Sequence, residues 1–162
     1  MVTRVHPEYI FSENIPEVKS LEDLSDEFYH KRMQVINEFE KNLVANGTII
    51  LKFFLNISKL EQKNRLLRRL RLKEKNWKFS PGDLKERNLW SQYKSCYEDL
   101  LNKTSTGHAP WFVIPGDDKP TARLLVADII VETLKKYNFK EPELPEKYSK
   151  EIENYKAQLA SE

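Results

Sequence analysis

The sequence predicts an α/β domain: a parallel sheet with flanking helices and one long helical excursion. Three observations carry this prediction. Two short runs, "TIILKFFLNI" (48–57) and "APWFVIPG" (109–116), are apolar and bounded by turn residues. Each is followed by residues that open a helix. The stretch between them, 59–103, keeps helical periodicity over a length too great for an ordinary crossover.

The elements follow in order. "VTRVHP" (2–7) is a β-branched run stopped by Pro7 and reads as a short strand. Residues 11–27, with Pro16 and scattered acids, read as a loop. From about Ser25 to Asn46, Phe28, Met33, Ile36, Phe39 and Leu43 recur at helical steps, and Asn46-Gly47 is a stop signal. Residues 48–57 are apolar on both faces, as in a buried central strand of a parallel sheet. Ser58 caps the next helix, with Glu61 placed to complete a capping box. Pro81-Gly82-Asp83 opens another, with Asp83 as its cap. Leu89/Trp90, Tyr93, Cys96/Tyr97 and Leu100/Leu101 form that helix's core stripe. After the second apolar run, a last helix starts near Pro120, with Ala122, Val126, Ile129, Ile130 and Leu134 facing inward. A main body of residues 1–138, with its excursion at about 59–103, is thus followed by a polar tail, 139–162, whose Lys/Glu-rich end suits a short helix.

Composition bounds the rest. A chain of 162 residues fits one domain that buries roughly two-thirds of its unfolded surface. A single cysteine, Cys96, rules out an internal disulfide, suits a reducing cytoplasm, and falls on a core stripe as a small hydrophobe. No apolar run approaches the ~18 residues of a membrane span, and the first twenty residues lack a signal-peptide pattern. The expected location is therefore cytoplasmic, away from membranes.

Charge is the informative feature. Residues 63–78 carry Lys63, Arg65, Arg68, Arg69, Arg71, Lys73, Lys75 and Lys78 against Glu74 alone, a local +7. The chain as a whole is +2, so everything else carries −5. A helix with Leu66, Leu67 and Leu70 on one side would be held to the body by its leucines. Its guanidinium forks and ammonium points would then face a polyanion. The alternatives are a solvated basic face or an acidic patch elsewhere in the same protein. A nucleic acid is disfavoured, because Trp77 and Phe79 are too few to make a stacking platform.

Two absences limit the chemistry. None of Gly47, Gly82, Gly107 and Gly116 lies in a G-x-x-x-x-G-K-[ST] loop. His6, His30 and His108 are widely separated and have no carboxylate pair with them, so no metal-ligand spacing is present. His108 fits a turn role or a functional one equally. "GDDKPTAR" (116–123) sits after a strand and at a helix start, where α/β folds place ligand loops. Asp117, Asp118 and Lys119 suit a nucleotide or metal-bound phosphates there, and Asp118 equally suits simple helix capping.

The ordered set "VTRVHPE", "FEKNLVANGTIILKFFLNISKLEQKNRLLRRL", "EKNWKFSPGDLKER", "TSTGHAPWFVIPGDDK" and "AR" resembles the C-terminal half of the family-2 polyphosphate kinases, from Met1 to about Tyr137. The resemblance implies a P-loop-kinase-like sheet similar to that of thymidylate kinase. It also implies phosphoryl transfer between inorganic polyphosphate and nucleotides (a nucleoside mono- or diphosphate, or ATP) with Mg²⁺. On the same footing, the excursion is a lid over the substrate channel. Arg65, Arg69, Arg71, Lys75 and Lys78 are its basic residues, and Asp83 is its closing acid. Arg4 would lie at a strand end near the site, and Lys119 and Arg123 in the polar loop after the last strand. "DDKPTAR" departs from the family, which commonly has aromatics between the lysine and the small-Arg pair.

Such kinases carry Walker A and Asp-Arg Walker B motifs upstream of the first of these segments, and the 162 residues contain neither. The expectation is therefore a chain with no catalytic residues of its own, inactive alone. It would be a truncated, split or degenerate relative, with exposed sheet edges. Its partners would be polyphosphate, a nucleotide, and either a second copy or a complementary N-terminal half. A non-catalytic polyanion binder is the competing expectation.

Overall fold

The structure is a computed structural model that describes residues 2–13, 15, 16, 18–149 and 151–161. The chain divides into two compact units, Met1–Ala127 and Asp128–Glu162.

The first unit is built on a two-stranded parallel sheet of β1 (Lys52–Asn56) and β2 (Trp111–Pro115), in register from Lys52↔Trp111 to Asn56↔Pro115. Phe53 and Phe112 stack across the strands at 5.6 Å. Helix α2 (Asp26–Ala45) precedes β1, and Ser25 Oγ caps it by accepting from Phe28 N. The helix ends where Gly47 takes a φ of 86°, a conformation open to glycine. Between the strands run α3 (Lys59–Arg71), a 3₁₀ segment Lys73–Lys78, α4 (Pro81–Asn88) and α5 (Trp90–Thr104). Helix α6 (Lys119–Lys135) follows β2. In the second unit, α7 (Glu146–Ser149) and α8 (Ile152–Ala160) occupy the polar tail.

Among the described residues, buried side chains are few. Ile10, Met33, Leu66, Ala109 and Ile114 make the apolar core, with Thr104 among them. Thr104 Oγ1 accepts from Trp111 Nε1 and donates to Leu100 O, both at 2.8 Å, so its burial costs no unmade bond. Lys52 is a second polar fixture: its Nζ is 2.6 Å from Glu40 Oε2 and from Thr104 O, and it lies over the Trp111 ring.

Several expectations are corrected. Val2–Val5 is a helical turn, α1, not a strand, and 3₁₀ turns follow at Pro7–Glu13. β-Branching alone does not make a strand without a neighbour to pair with, and here His6 N–H turns back to Val2 O at 2.7 Å. Among the described residues the sheet therefore has two strands and not three. β1 is also shorter than its apolar run and only half-buried, with Leu55 58% exposed. The helix from Pro81 breaks at Leu89 into α4 and α5. Asp83 stands at the third position of α4 and not at its cap, which is Ser80. The inward stripes are narrower than read: Ile36, Phe39 and Leu70 are exposed.

Candidate functional site

The end of β1 runs directly into α3, and Ser58, Glu61, Arg65 and Asp117 are all engaged at that corner. Ser58 Oγ accepts from Glu61 N at 3.0 Å, the expected cap. The reciprocal half of the box is not made by Glu61. Ser58 N–H donates instead to Asp117 Oδ1 at 2.7 Å, and this backbone bond holds the Asp117 carboxyl below its usual range. Glu61 is thereby free to accept from Arg65 Nε at 2.7 Å, while Arg65 Nη2 donates to Gly116 O at 2.6 Å. Gly116 N–H in turn reaches Asn56 O at 2.9 Å. Gly116 is buried, and a Cβ there would stand 2.8 Å from Ile57 Cγ2, so this close approach requires glycine. The base of α3 and the loop after β2 are one hydrogen-bonded junction.

Asp118 accepts from Thr121 N at 3.0 Å, and hydrogen bonding from the Thr121 side chain, with this backbone bond, lowers its pKa. It caps α6, the plainer of the two readings. Lys119 and Arg123 lie exposed in the first turns of that helix. Beside the junction, a cavity of about 390 Å³ is lined by Asn56, Ser58, Lys59, Lys94 and Asp117 among others. Lys94 Nζ donates to Asn56 Oδ1 at 3.1 Å. Sequence reasoning missed Lys94. Its signal is a cation four residues beyond Trp90, on the flank of an aromatic stripe.

Farther along, Arg69 Nη1 meets Asp83 Oδ2 at 3.3 Å, and Asp83 also accepts from Ser80 N at 3.2 Å. One carboxylate thus closes the α4 box and ties α4 to α3. Arg87 Nη1 donates to Lys59 O and Gln62 Oε1, both at 2.8 Å. Asn76 Nδ2 covers the last-turn carbonyls of Arg69 and Leu70, at 2.7 and 2.9 Å, folding the 3₁₀ segment back over the end of α3.

The remaining cations are arranged differently. Lys63, Arg68, Arg71, Lys73 and Lys78 are exposed, Lys75 is half-buried, and none of the six has an ion pair among the described contacts. Lys78 Nζ lies 4.9 Å over the ring of Trp77, which is itself 77% exposed and held by Nε1 donating to Glu74 O. The structure thus brings Arg65, Arg69 and Asp83 into the folded base and leaves Arg71, Lys75 and Lys78 without an ion pair, Arg71 and Lys78 toward solvent.

Arg4 belongs to neither group. With the strand replaced by α1, its guanidinium is hydrogen-bonded to Asp99 on α5 and, at 2.6 Å, to Asp26 on α2. Nearby, His6 Nε2 meets Glu86 Oε2 at 3.0 Å and its Nδ1 meets Glu8 Oε1 at 3.3 Å. Its ring stacks on Tyr9, and Tyr93 Oη donates to Glu86 at 2.6 Å. The Glu86 hydrogen bond raises the His6 pKa. Burial, aided by Glu86, pushes Tyr93 up to about 12.

No helix among the described residues is long and apolar enough to cross a membrane. Residues 14–142 match the family model for polyphosphate kinase 2. The chain is 43% identical over 98% of its length to an ADP-polyphosphate phosphotransferase of Rhodopseudomonas palustris, and spans 54% of that protein. An uncharacterized protein of Leptolyngbya boryana is 50% identical over 83% of the chain, with 98% of that relative matched. Among solved structures, polyphosphate kinase 2 from Arthrobacter aurescens TC1 superposes with a TM-score of 0.75 at 36% identity, over 85% of this chain and 48% of that one. The chain therefore spans about half the length of the Rhodopseudomonas and Arthrobacter proteins. With a family match over most of its residues and a mixed α/β fold like that of the solved member, it belongs to the polyphosphate kinase 2 family.

Proposed function

We propose that this chain supplies the cationic lid and C-terminal half of a transferase that moves phosphoryl groups between inorganic polyphosphate and a nucleoside mono- or diphosphate or ATP. The observation that carries this is a tethered base bearing an untethered cationic tip. Phosphoryl transfer depends on positioning and on offsetting charge spread over many oxygens. Six cations with no ion pair among the described contacts are suited to that task. Arg71, Lys75 and Lys78, with Arg68 and Lys73, bind the anion. Arg65, Arg69 and Asp83 hold the excursion in place, Lys119 and Arg123 extend the positive surface at the start of α6, and Arg4 positions α5. Within the 162 residues we assign no group that attacks or leaves.

Among the described residues no three His, Cys, Asp or Glu side chains converge to hold a metal, and Asp117 and Asp118 are already engaged. The residues present therefore do not fit a protein-built Mg²⁺ site, and no step is derived through the ion.

The test is phosphotransfer from polyphosphate to AMP, ADP and GDP with Mg²⁺. It is run with this chain alone and with the half of the Rhodopseudomonas relative that it does not match. Activity in the mixture only is the expected result, and robust turnover by the chain alone would overturn it. The second reading, a polyanion binder without catalysis, rests on the same exposed cations. It predicts silence in both assays with salt-sensitive polyphosphate binding retained.

A further inference from the structure

The exposed cations of the excursion are not held alike. Among the described contacts, Lys63, Arg68, Arg71 and Lys73 have neither an ion pair nor an aromatic ring beside them. Lys78 Nζ, by contrast, lies 4.9 Å over the centre of the Trp77 ring.

Trp77 is 77% exposed, so the core does not hold it. Its polar edge does. Nε1 donates to Glu74 O at 3.1 Å, which turns the indole back along its own 3₁₀ segment. That segment is itself fixed to the end of α3. Asn76 Nδ2 donates to Arg69 O at 2.7 Å and to Leu70 O at 2.9 Å. Lys75 N–H donates to Leu72 O at 2.8 Å, and Phe79 N–H to Asn76 O at 3.0 Å. A continuous series of contacts therefore runs from α3, through the Asn76 amide and the indole, to the Lys78 ammonium.

The chemistry of the last contact differs from that of an ion pair. A carboxylate that fixed the ammonium would also neutralise it, as Asp83 does for Arg69. An aromatic face attracts a cation through its quadrupole and carries no net charge. Lys78 is thus restrained and keeps its full positive charge, with the side away from the ring left for a phosphate oxygen. What the ring removes is an entropic cost. Ordering a long, flexible side chain on binding weakens affinity by roughly two- to tenfold, and a side chain already ordered escapes that loss.

We propose that Trp77 is a positioning residue for polyphosphate binding, its ring holding the uncompensated Lys78 ammonium ready for a phosphate oxygen. The inference rests on the reading that the exposed cations of the excursion bind the polyanion. It adds to that reading a residue with no charge of its own, which acts through Lys78.

The experiment measures binding of inorganic polyphosphate to the 162-residue chain by calorimetry over a salt series. The variants are Trp77→Leu, Trp77→Phe, Lys78→Gln, and Trp77→Leu combined with Lys78→Gln. Trp77→Leu should weaken binding roughly two- to tenfold, with the log–log salt slope unchanged because every cation remains. Lys78→Gln should also weaken binding, and should lower the slope by about 1. In the Lys78→Gln background Trp77→Leu should add nothing, because the ammonium it positions is gone. Trp77→Phe keeps a ring face and should recover part of the loss. Thermal midpoints should stay at the parent value, since both side chains are exposed.

Additive losses in the combined variant, or a phenylalanine variant no better than the leucine one, would overturn the positioning role. So would parent-like binding by Trp77→Leu beside weakened binding by Lys78→Gln, and these outcomes leave the cationic tip standing. Parent-like binding by both single variants would overturn the inference together with the assignment of Lys78 to the anion. None of these readouts needs turnover, so they separate this inference from the catalytic reading.

Discussion

The base and the tip of the excursion are made of the same residue types and behave oppositely. In the base, Arg65, Arg69 and Arg87 spend their forks on Glu61, Gly116 O, Asp83, Lys59 O and Gln62. In the tip, Arg68, Arg71, Lys73 and Lys78 stand in water. The periodicity of α3 produces the division. Arg65 and Arg69 are four apart and share the face that meets the strand ends and α4, whereas Arg68 and Arg71 are turned away. A guanidinium with five donors is a structural cross-link when carbonyls and carboxylates surround it, and an anion receptor when none do. Local density of positive charge therefore does not measure binding capacity; the unpaired remainder does.

The largest test of this contrast removes the tip. Replacing Arg68, Arg71, Lys73 and Lys78 together by Gln should weaken polyphosphate binding by roughly 1–4 kcal/mol, at about 0.2–1 kcal/mol per exposed charge. The log–log salt slope should fall by about 3. Thermal stability should not drop. Unchanged affinity by calorimetry would move the binding surface elsewhere.

Changes at the base should do the reverse. Gly116→Ala drives a Cβ against Ile57 Cγ2 and should cost about 1–3 kcal/mol in denaturant unfolding, with the salt slope of binding preserved. Adding Ile57→Ala should return part of that loss. Ser58→Ala removes the α3 cap and should cost about 1 kcal/mol.

The smallest effect concerns pH. The Glu86 hydrogen bond raises the His6 pKa above its value in the unfolded chain, near 6.5. The contribution is therefore full below that pH and is lost as pH rises through the higher folded value. Residues 2–13 should become more open to proteolysis as the pH passes above about 6.5. His6→Gln should flatten that profile, and an unaltered profile in the variant would remove His6 from the contact.

Much of the fold was legible because it is written in local signals. Ser25, Ser58 and Gly47 mark helix ends by chemistry that acts within three residues, and α2, β1, β2 and α6 stand where the patterns put them. The misread segment, Val2–Val5, needed knowledge of Asp99 and Asp26, whose pairing with Arg4 spans most of the first unit. Asp83 was recognised as a capping residue, but its exact position in the box depended on Ser80. At the candidate site the stretch 63–78 was visible from charge alone. Its partition was not, because Gly116 and Asp83 are distant in sequence from the arginines they hold.

The sequence by itself determined most of the helical segments, the two apolar runs that pair as strands, and that one short stretch concentrates the positive charge. These depend on backbone propensity, side-chain period and composition, all local quantities. Tertiary structure alone decided which arginines are cross-links and which are free, and that Ser58 N–H goes to Asp117 rather than Glu61. Each of these is settled by which donor meets which acceptor across the fold. A hydrogen bond acts over about 3 Å, wherever its partners stand in the chain.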